Sequence, residues 1–180
     1  EVVRLLEEET GSLLIWGAAG LGKTTMLELV ATELASRDVM VVSTRCEPEP
    51  ILPLEPVASI VHEVLDRRPD ALERLDDPSP LALLSPAIAA QIDEAPTLLD
   101  PERIRLEAVI VQLLTDPLLP SLAIAIDDSH WMTSATRESL GRATRTSKDT
   151  GSKLRILGTW RGPRPVGEFA ALDPQHFELC

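Results

Sequence analysis

With 180 residues, 44% of them hydrophobic and 26% charged, the chain reads as one globular domain able to bury about 70% of its unfolded surface. Its formal net charge is −12 and its basic residues are scattered, which argues against direct nucleic-acid binding by this domain. No run approaches the roughly 18 apolar residues needed to span a bilayer, and the opening Glu1-Val2-Val3-Arg4 has no signal-peptide layout, so a cytoplasmic protein without membrane contact is expected.

Val2, Leu5 and Leu6 recur at helical spacing and predict a short amphipathic helix, with Glu7-Glu8-Glu9 as its solvated end. Leu13-Leu14-Ile15-Trp16 then reads as a buried strand. It runs into Gly17-Ala18-Ala19-Gly20-Leu21-Gly22-Lys23-Thr24-Thr25 and on into a helix whose face is Met26, Leu27, Val30, Leu34 and Ala35. Glycines, lysine and threonine in the order GxxxxGK(S/T), between strand and helix, make the P-loop pattern.

Chemistry explains that spacing. A triphosphate concentrates negative charge, and a tight loop ending in a helix N-terminus points several backbone N–H groups at it with the helix dipole behind them. Gly17, Gly20 and Gly22 mark where the backbone turns sharply or approaches closely. Lys23 is placed to reach the β- and γ-phosphates, Thr24 to ligate Mg²⁺, and Thr25 to contact the α-phosphate. The competing dinucleotide pattern GxGxxG, read from Gly20, would need glycine where Thr25 stands.

Val39-Met40-Val41-Val42-Ser43 follows as a second parallel strand, completing a βαβ unit. From Pro48 to Pro120 the texture changes, with twelve of the fifteen prolines in that interval. Short helices at Val57 to Leu65, Ala71 to Leu75 and Ala87 to Ile92 fit it better than strands, as a helical insertion (48–120) on the core fold. A stronger helix opens at Asp100-Pro101 and carries Ile104, Leu106, Val109, Ile110, Leu113 and Leu114 as apolar positions.

Leu122-Ala123-Ile124-Ala125-Ile126 is the third buried strand and ends in Asp127-Asp128-Ser129-His130-Trp131. A helix capped by Thr133 or Ser134 should run to about Thr146. Leu154 to Thr159 is the fourth strand, closing on Trp160-Arg161, and His176 to Leu179 is a fifth at the chain end. Cys46 and Cys180 have no metal-ligand spacing and read as free thiols.

Ligands of such folds bind at the carboxyl ends of parallel strands. Asp127 ends an apolar strand in the Walker B manner, where a first carboxylate holds Mg²⁺ and a second, Asp128, orients or deprotonates the attacking water. The plainer reading is an acidic strand end that caps a nearby helix. Arg161, ending the fourth strand, could sense the γ-phosphate or simply be a surface arginine in a turn. His130 beside two carboxylates is a poor zinc pattern, and packing against Trp131 accounts for it better. Guanine recognition would need (N/T)KxD, which Ser147-Lys148-Asp149 does not supply. A phosphotransferase would need an arginine-bearing lid, for which Arg67-Arg68 or Arg103-Arg105 could serve.

Taken together, Gly17 to Thr25, Ile126-Asp127-Asp128-Ser129-His130-Trp131 and Leu157-Gly158-Thr159-Trp160-Arg161 resemble the ATPase domain of STAND and AAA-like signalling NTPases, nearest to the large ATP-binding LuxR-type (MalT-like) transcriptional regulators. That resemblance implies a three-layer α/β P-loop NTPase fold with a parallel sheet in the order 5-1-4-3-2. It also implies ATP and Mg²⁺ as ligands, Asp127 and Thr24 as metal ligands, and Asp128, Arg161 and Lys23 as catalytic residues. Met132-Thr133 replaces the family's usual Ala-Asp.

By the same resemblance, residues 1–180 are the nucleotide-binding core of a longer protein whose lid and effector domains lie elsewhere. Any DNA contact would belong to a C-terminal domain, and nucleotide-dependent self-association stays open. The implied function is a regulatory switch with slow ATP hydrolysis. A turnover ATPase or small-molecule phosphotransferase is the alternative, and a degenerate P-loop scaffold the bland one.

Overall fold

A computed structural model describes residues 11–50, 54–90, 92, 100–163 and 175–178, without the side chains of 100–103 and 175–178. The expected helix over residues 2–9, Leu179 of the expected fifth strand and Cys180 lie outside the described residues.

Five strands form one sheet: β1 (Gly11–Gly17), β2 (Met40–Arg45), β3 (Leu122–Asp127), β4 (Leu154–Arg161) and β5 (Gln175–Glu178). Their order is β2-β3-β4-β1-β5, and every neighbouring pair is parallel. This is the expected 5-1-4-3-2 order. The carboxyl ends of β1 and β3 therefore flank β4, which separates them.

β3 shows why a continuous apolar run is needed, since all six of its residues are buried. Ala123 and Ala125 face one side, where α1 (Lys23–Ala35) lays Leu27, Val30 and Leu34 against Leu13, Ile15 and Leu157. Leu122, Ile124 and Ile126 face the other, in a larger core shared with α2 (Glu55–Arg67), α4 (Asp100–Leu114) and α5 (Ser134–Thr150). Small alanines on the α1 side let that single helix sit close to the sheet.

The described residues of the proline-rich interval include several helices, and the shorter pieces are tighter than α. Pro69–Arg74 and Ser79–Leu83 are 3₁₀ turns, and α3 (Pro86–Ala89) is one turn capped by Ser85, whose Oγ accepts from Ile88 N–H at 3.2 Å. Prolines stand in the first turn of each, where the missing N–H costs nothing. Ala71, Leu81, Leu84 and Ile88 anchor them to the core.

Three expectations need correction. Ile104 is 70% exposed, because the buried stripe of α4 runs through Leu106, Val109, Ile110, Leu113 and Leu114 and leaves Ile104 off it. Ala35 is also exposed, at the end of α1. The helix expected to stop near Thr146 continues to Thr150, where Gly151 at φ 72° supplies the left-handed cap. Its N-cap is as expected: Thr133 Oγ1 accepts from Thr136 N–H at 3.2 Å.

Candidate functional site at the carboxyl edge of the sheet

The loop between β1 and α1 takes the shape its glycines permit. Gly20 (φ 81°) and Gly22 (φ 79°) are left-handed, and a Cβ built on either would meet nothing within 4 Å. Glycine is required there by the backbone, and the space above the loop is open. Gly22 is the N-cap of α1, with no side-chain cap and no acidic residue in the first turn. The positive end of the helix dipole is thus left without an anion of its own, which suits a phosphate. Lys23 is buried, and its Nζ donates to Ala18 O at 2.6 Å, folding the ammonium back over the loop.

Thr24 faces the acidic strand end. Its Oγ1 lies 3.1 Å from both Oδ1 and Oδ2 of Asp127, donating to that carboxylate. Asp127 Oδ1 also accepts from Thr159 Oγ1 at 2.6 Å. A hydroxyl and a carboxylate converging in this way fit Mg²⁺, which keeps several waters and takes one or two protein oxygens plus phosphate oxygens. Among the described residues no group of three or more His, Cys, Asp or Glu could hold a metal by itself, so nucleotide oxygens would have to complete the shell.

Asp128 stands next to this pair in an unusual backbone conformation, φ 51° and ψ 40°, which costs a non-glycine residue about 1 kcal/mol. Its N–H donates to Thr159 Oγ1 at 2.8 Å. Its carboxylate turns toward β2, where Arg45 Nη2 and Nε donate to Oδ2 at 2.7 and 3.1 Å. Arg45 ends β2 in register with Asp127 and is held in the charged form first by its hydrogen bond to Asp128 and then by the charges of Asp128 and Asp127.

His130 packs against Trp131 with ring centroids 4.9 Å apart and meets Trp160 edge-on at 5.9 Å. Burial lowers its pKa, assisted by the positive charges of Arg161 and Lys23 and opposed by Asp128 and Asp127. A neutral ring at pH 7 follows. Arg161 is exposed at the end of β4, in register with Gly17. Cys46, just after β2, is a free buried thiol pushed up to about 12 by burial first, then by Asp128, Asp127 and Glu47.

The structure thus brings Lys23, Thr24, Asp127, Asp128 and Arg161 to one edge. Arg67 and Arg68, weighed above as a lid, are placed elsewhere. Arg67 donates to Val41 O at the amino end of β2, and Arg68 is held by Asp70. A cavity of about 450 Å³ lined by Arg74, Thr115, Asp116 and Thr150 also opens at that amino end, away from the loop. Two site residues escaped sequence reasoning: Arg45, and Thr159 as partner of both aspartates. The available signal was a charged or hydroxyl residue at the carboxyl end of a strand.

A parallel sheet with a glycine loop after β1 and a hydroxyl–carboxylate pair between α1 and β3 defines a P-loop nucleoside-triphosphatase core. The AAA ATPase domain family matches residues 2–157, and the chain belongs to that family. Nucleotide binding follows from membership. No curated protein matches the sequence. Among solved structures, the chain is similar to one in the structure of Drosophila ORC bound to AT-rich DNA and Cdc6, with 11% identity and a TM-score of 0.58 over 98% of this chain and 51% of that one. Cdc6p from Pyrobaculum aerophilum is similar at 10% identity and a TM-score of 0.58, over 99% of this chain and 42% of that one. The likeness at such identities concerns the fold, and this chain spans about half the length of those it resembles or less. Among the described residues no helix is long and apolar enough to cross a membrane.

Proposed function

We propose that this domain binds Mg-ATP at the Gly17–Thr25 loop and hydrolyses it slowly, as the switch of a larger signalling or transcription-regulating protein of the LuxR-type (MalT-like) STAND class. The observation that carries this reading is the division of labour between the two aspartates. Asp127 is turned to Thr24 at 3.1 Å, while Asp128 is engaged by Arg45 at 2.7 Å. In this arrangement the metal-side carboxylate is set and the water-activating one is occupied, which suits a protein that holds ATP longer than it consumes it.

In this reading the backbone N–H groups of residues 17–25 cradle the phosphates, and Lys23 leaves Ala18 O to pair with the β- and γ-phosphates. Thr24 and Asp127 hold Mg²⁺, which neutralises charge on the phosphate oxygens. Asp128, once released from Arg45, orients the attacking water, and Arg161 senses the γ-phosphate from the end of β4. The negative charge of the domain leaves DNA contact to other parts of the protein, and a cytoplasmic setting with nucleotide-dependent self-association completes the proposal.

Thermal melting with Mg-ATP, Mg-GTP or neither tests the binding. Ligand at about 100 times its Kd adds roughly 2.7 kcal/mol, equivalent to a Tm rise of roughly 5–10 °C for a domain of this size. No rise with either nucleotide would remove the proposal. Single-turnover hydrolysis complete within seconds, or phosphate appearing on an added acceptor, would replace the switch by a turnover enzyme.

A further inference from the structure

Three hydrogen bonds converge on Thr159, and none of the roles above uses them. Its Oγ1 donates to Asp127 Oδ1 at 2.6 Å and accepts from Asp128 N–H at 2.8 Å, while its carbonyl accepts from Ser129 Oγ at 2.5 Å. The side chain is 1% exposed. Neighbouring strands can share such bonds because β4 lies directly beside β3, but the register pairs Ile126 with Gly158 and stops there. Beyond that point the backbone pairing ends, and Thr159 ties β4 to the turn that follows β3.

We propose that Thr159 is a positioning residue for the nucleotide site, setting the metal-side carboxylate of Asp127 and the backbone of Asp128 with one hydroxyl. The inference rests on the Mg-ATP reading above. A hydroxyl has one proton and two lone pairs, so donating to Asp127 leaves it free to accept from Asp128 N–H. With the proton committed to Oδ1, the Asp127 carboxylate is fixed in rotation and presents its remaining lone pairs toward Thr24. The bond from Asp128 N–H holds that residue in its left-handed conformation and so decides where its carboxylate starts.

The test compares Thr159→Val, which keeps the shape and removes the hydroxyl, with Thr159→Ser, which keeps the hydroxyl and removes the methyl. The intact protein is titrated with Mg²⁺ in the presence of a non-hydrolysable ATP analogue, and analogue binding is also measured in EDTA. Loss of an outer-shell partner typically weakens metal affinity about 10–100-fold. Thr159→Val should raise the half-saturating Mg²⁺ by at least about tenfold and leave binding in EDTA within about twofold. Thr159→Ser should keep the wild-type Mg²⁺ response even where it melts lower. Should Thr159→Val fail to fold, Thr159→Ser decides alone: a weakened Mg²⁺ response there overturns the proposal. Equal loss of binding with and without Mg²⁺ in Thr159→Val, or an unchanged Mg²⁺ response, overturns it too. A wild-type protein that binds no analogue under either condition overturns the Mg-ATP reading as well, and that result is distinct from the others.

Discussion

Gly158→Ala tests the close approach between β4 and the turn after β3. A Cβ at residue 158 would stand 3.1 Å from Leu14 Cδ1, 3.2 Å from Ser129 Oγ and 3.5 Å from Ser129 Cβ, whereas carbon atoms pack best at about 3.5–4.0 Å. Neither neighbour can retreat freely. Leu14 is 1% exposed inside the main core, and Ser129, fully buried, is tied to Thr159 O. Overpacking of this kind costs about 1–3 kcal/mol, and moving Ser129 would add about 1 kcal/mol for its hydrogen bond. A total of about 2–4 kcal/mol predicts a Tm lower by roughly 4–16 °C. Urea or thermal unfolding reads it directly, and nucleotide-induced stabilisation should shrink as well, since Ser129 follows Asp128. A variant within about 0.5 kcal/mol of wild type, the range of ordinary surface substitutions, would show that the turn yields without cost and that Gly158 is not needed for the approach.

Lys23→Ala should abolish the ATP-induced rise in Tm, while Asp128→Asn should keep it and lower single-turnover hydrolysis; equal loss of binding in both would deny Asp128 a role in turnover. Arg45→Ala removes an exposed side chain and should leave the melting temperature unchanged, but hydrolysis should quicken severalfold as Asp128 is released. A slower reaction would instead make Arg45 a residue that aims the carboxylate productively. The Cys46 thiol, pushed up to about 12, should resist alkylation at pH 8 in the folded protein and react on unfolding, as peptide mass mapping can show. Because its folded pKa lies above the unfolded value, its contribution to stability is complete below about pH 8.5 and is lost as pH rises toward 12. Rapid labelling of native Cys46 would contradict its burial.

The glycine loop was legible because its geometry is local. Gly17 to Thr25 are contiguous, and the left-handed turns at Gly20 and Gly22 are conditions on single residues. Runs of apolar residues likewise announced β1, β3 and β4, and with the acidic strand end they placed Asp127 at the carboxyl end of β3. Helical spacing, by contrast, counted Ile104 among the apolar positions of α4, because periodicity names a stripe of candidates but not its angular limits.

What the chain order could not disclose is which strand ends become neighbours. Arg45 and Asp128 are 83 residues apart, and Thr159 and Asp127 are 32 apart; the strand order joins them. β2 lies outside β3 and β4 inside it, so the acidic pair receives an arginine from one side and a threonine from the other. Amino-acid sequence by itself determined a glycine loop with left-handed turns at Gly20 and Gly22 leading into a helix, since that is written in consecutive backbone angles. Only the tertiary structure decided how the two aspartates are partnered, because hydrogen bonds between strand ends exist only after distant segments have been packed into one sheet.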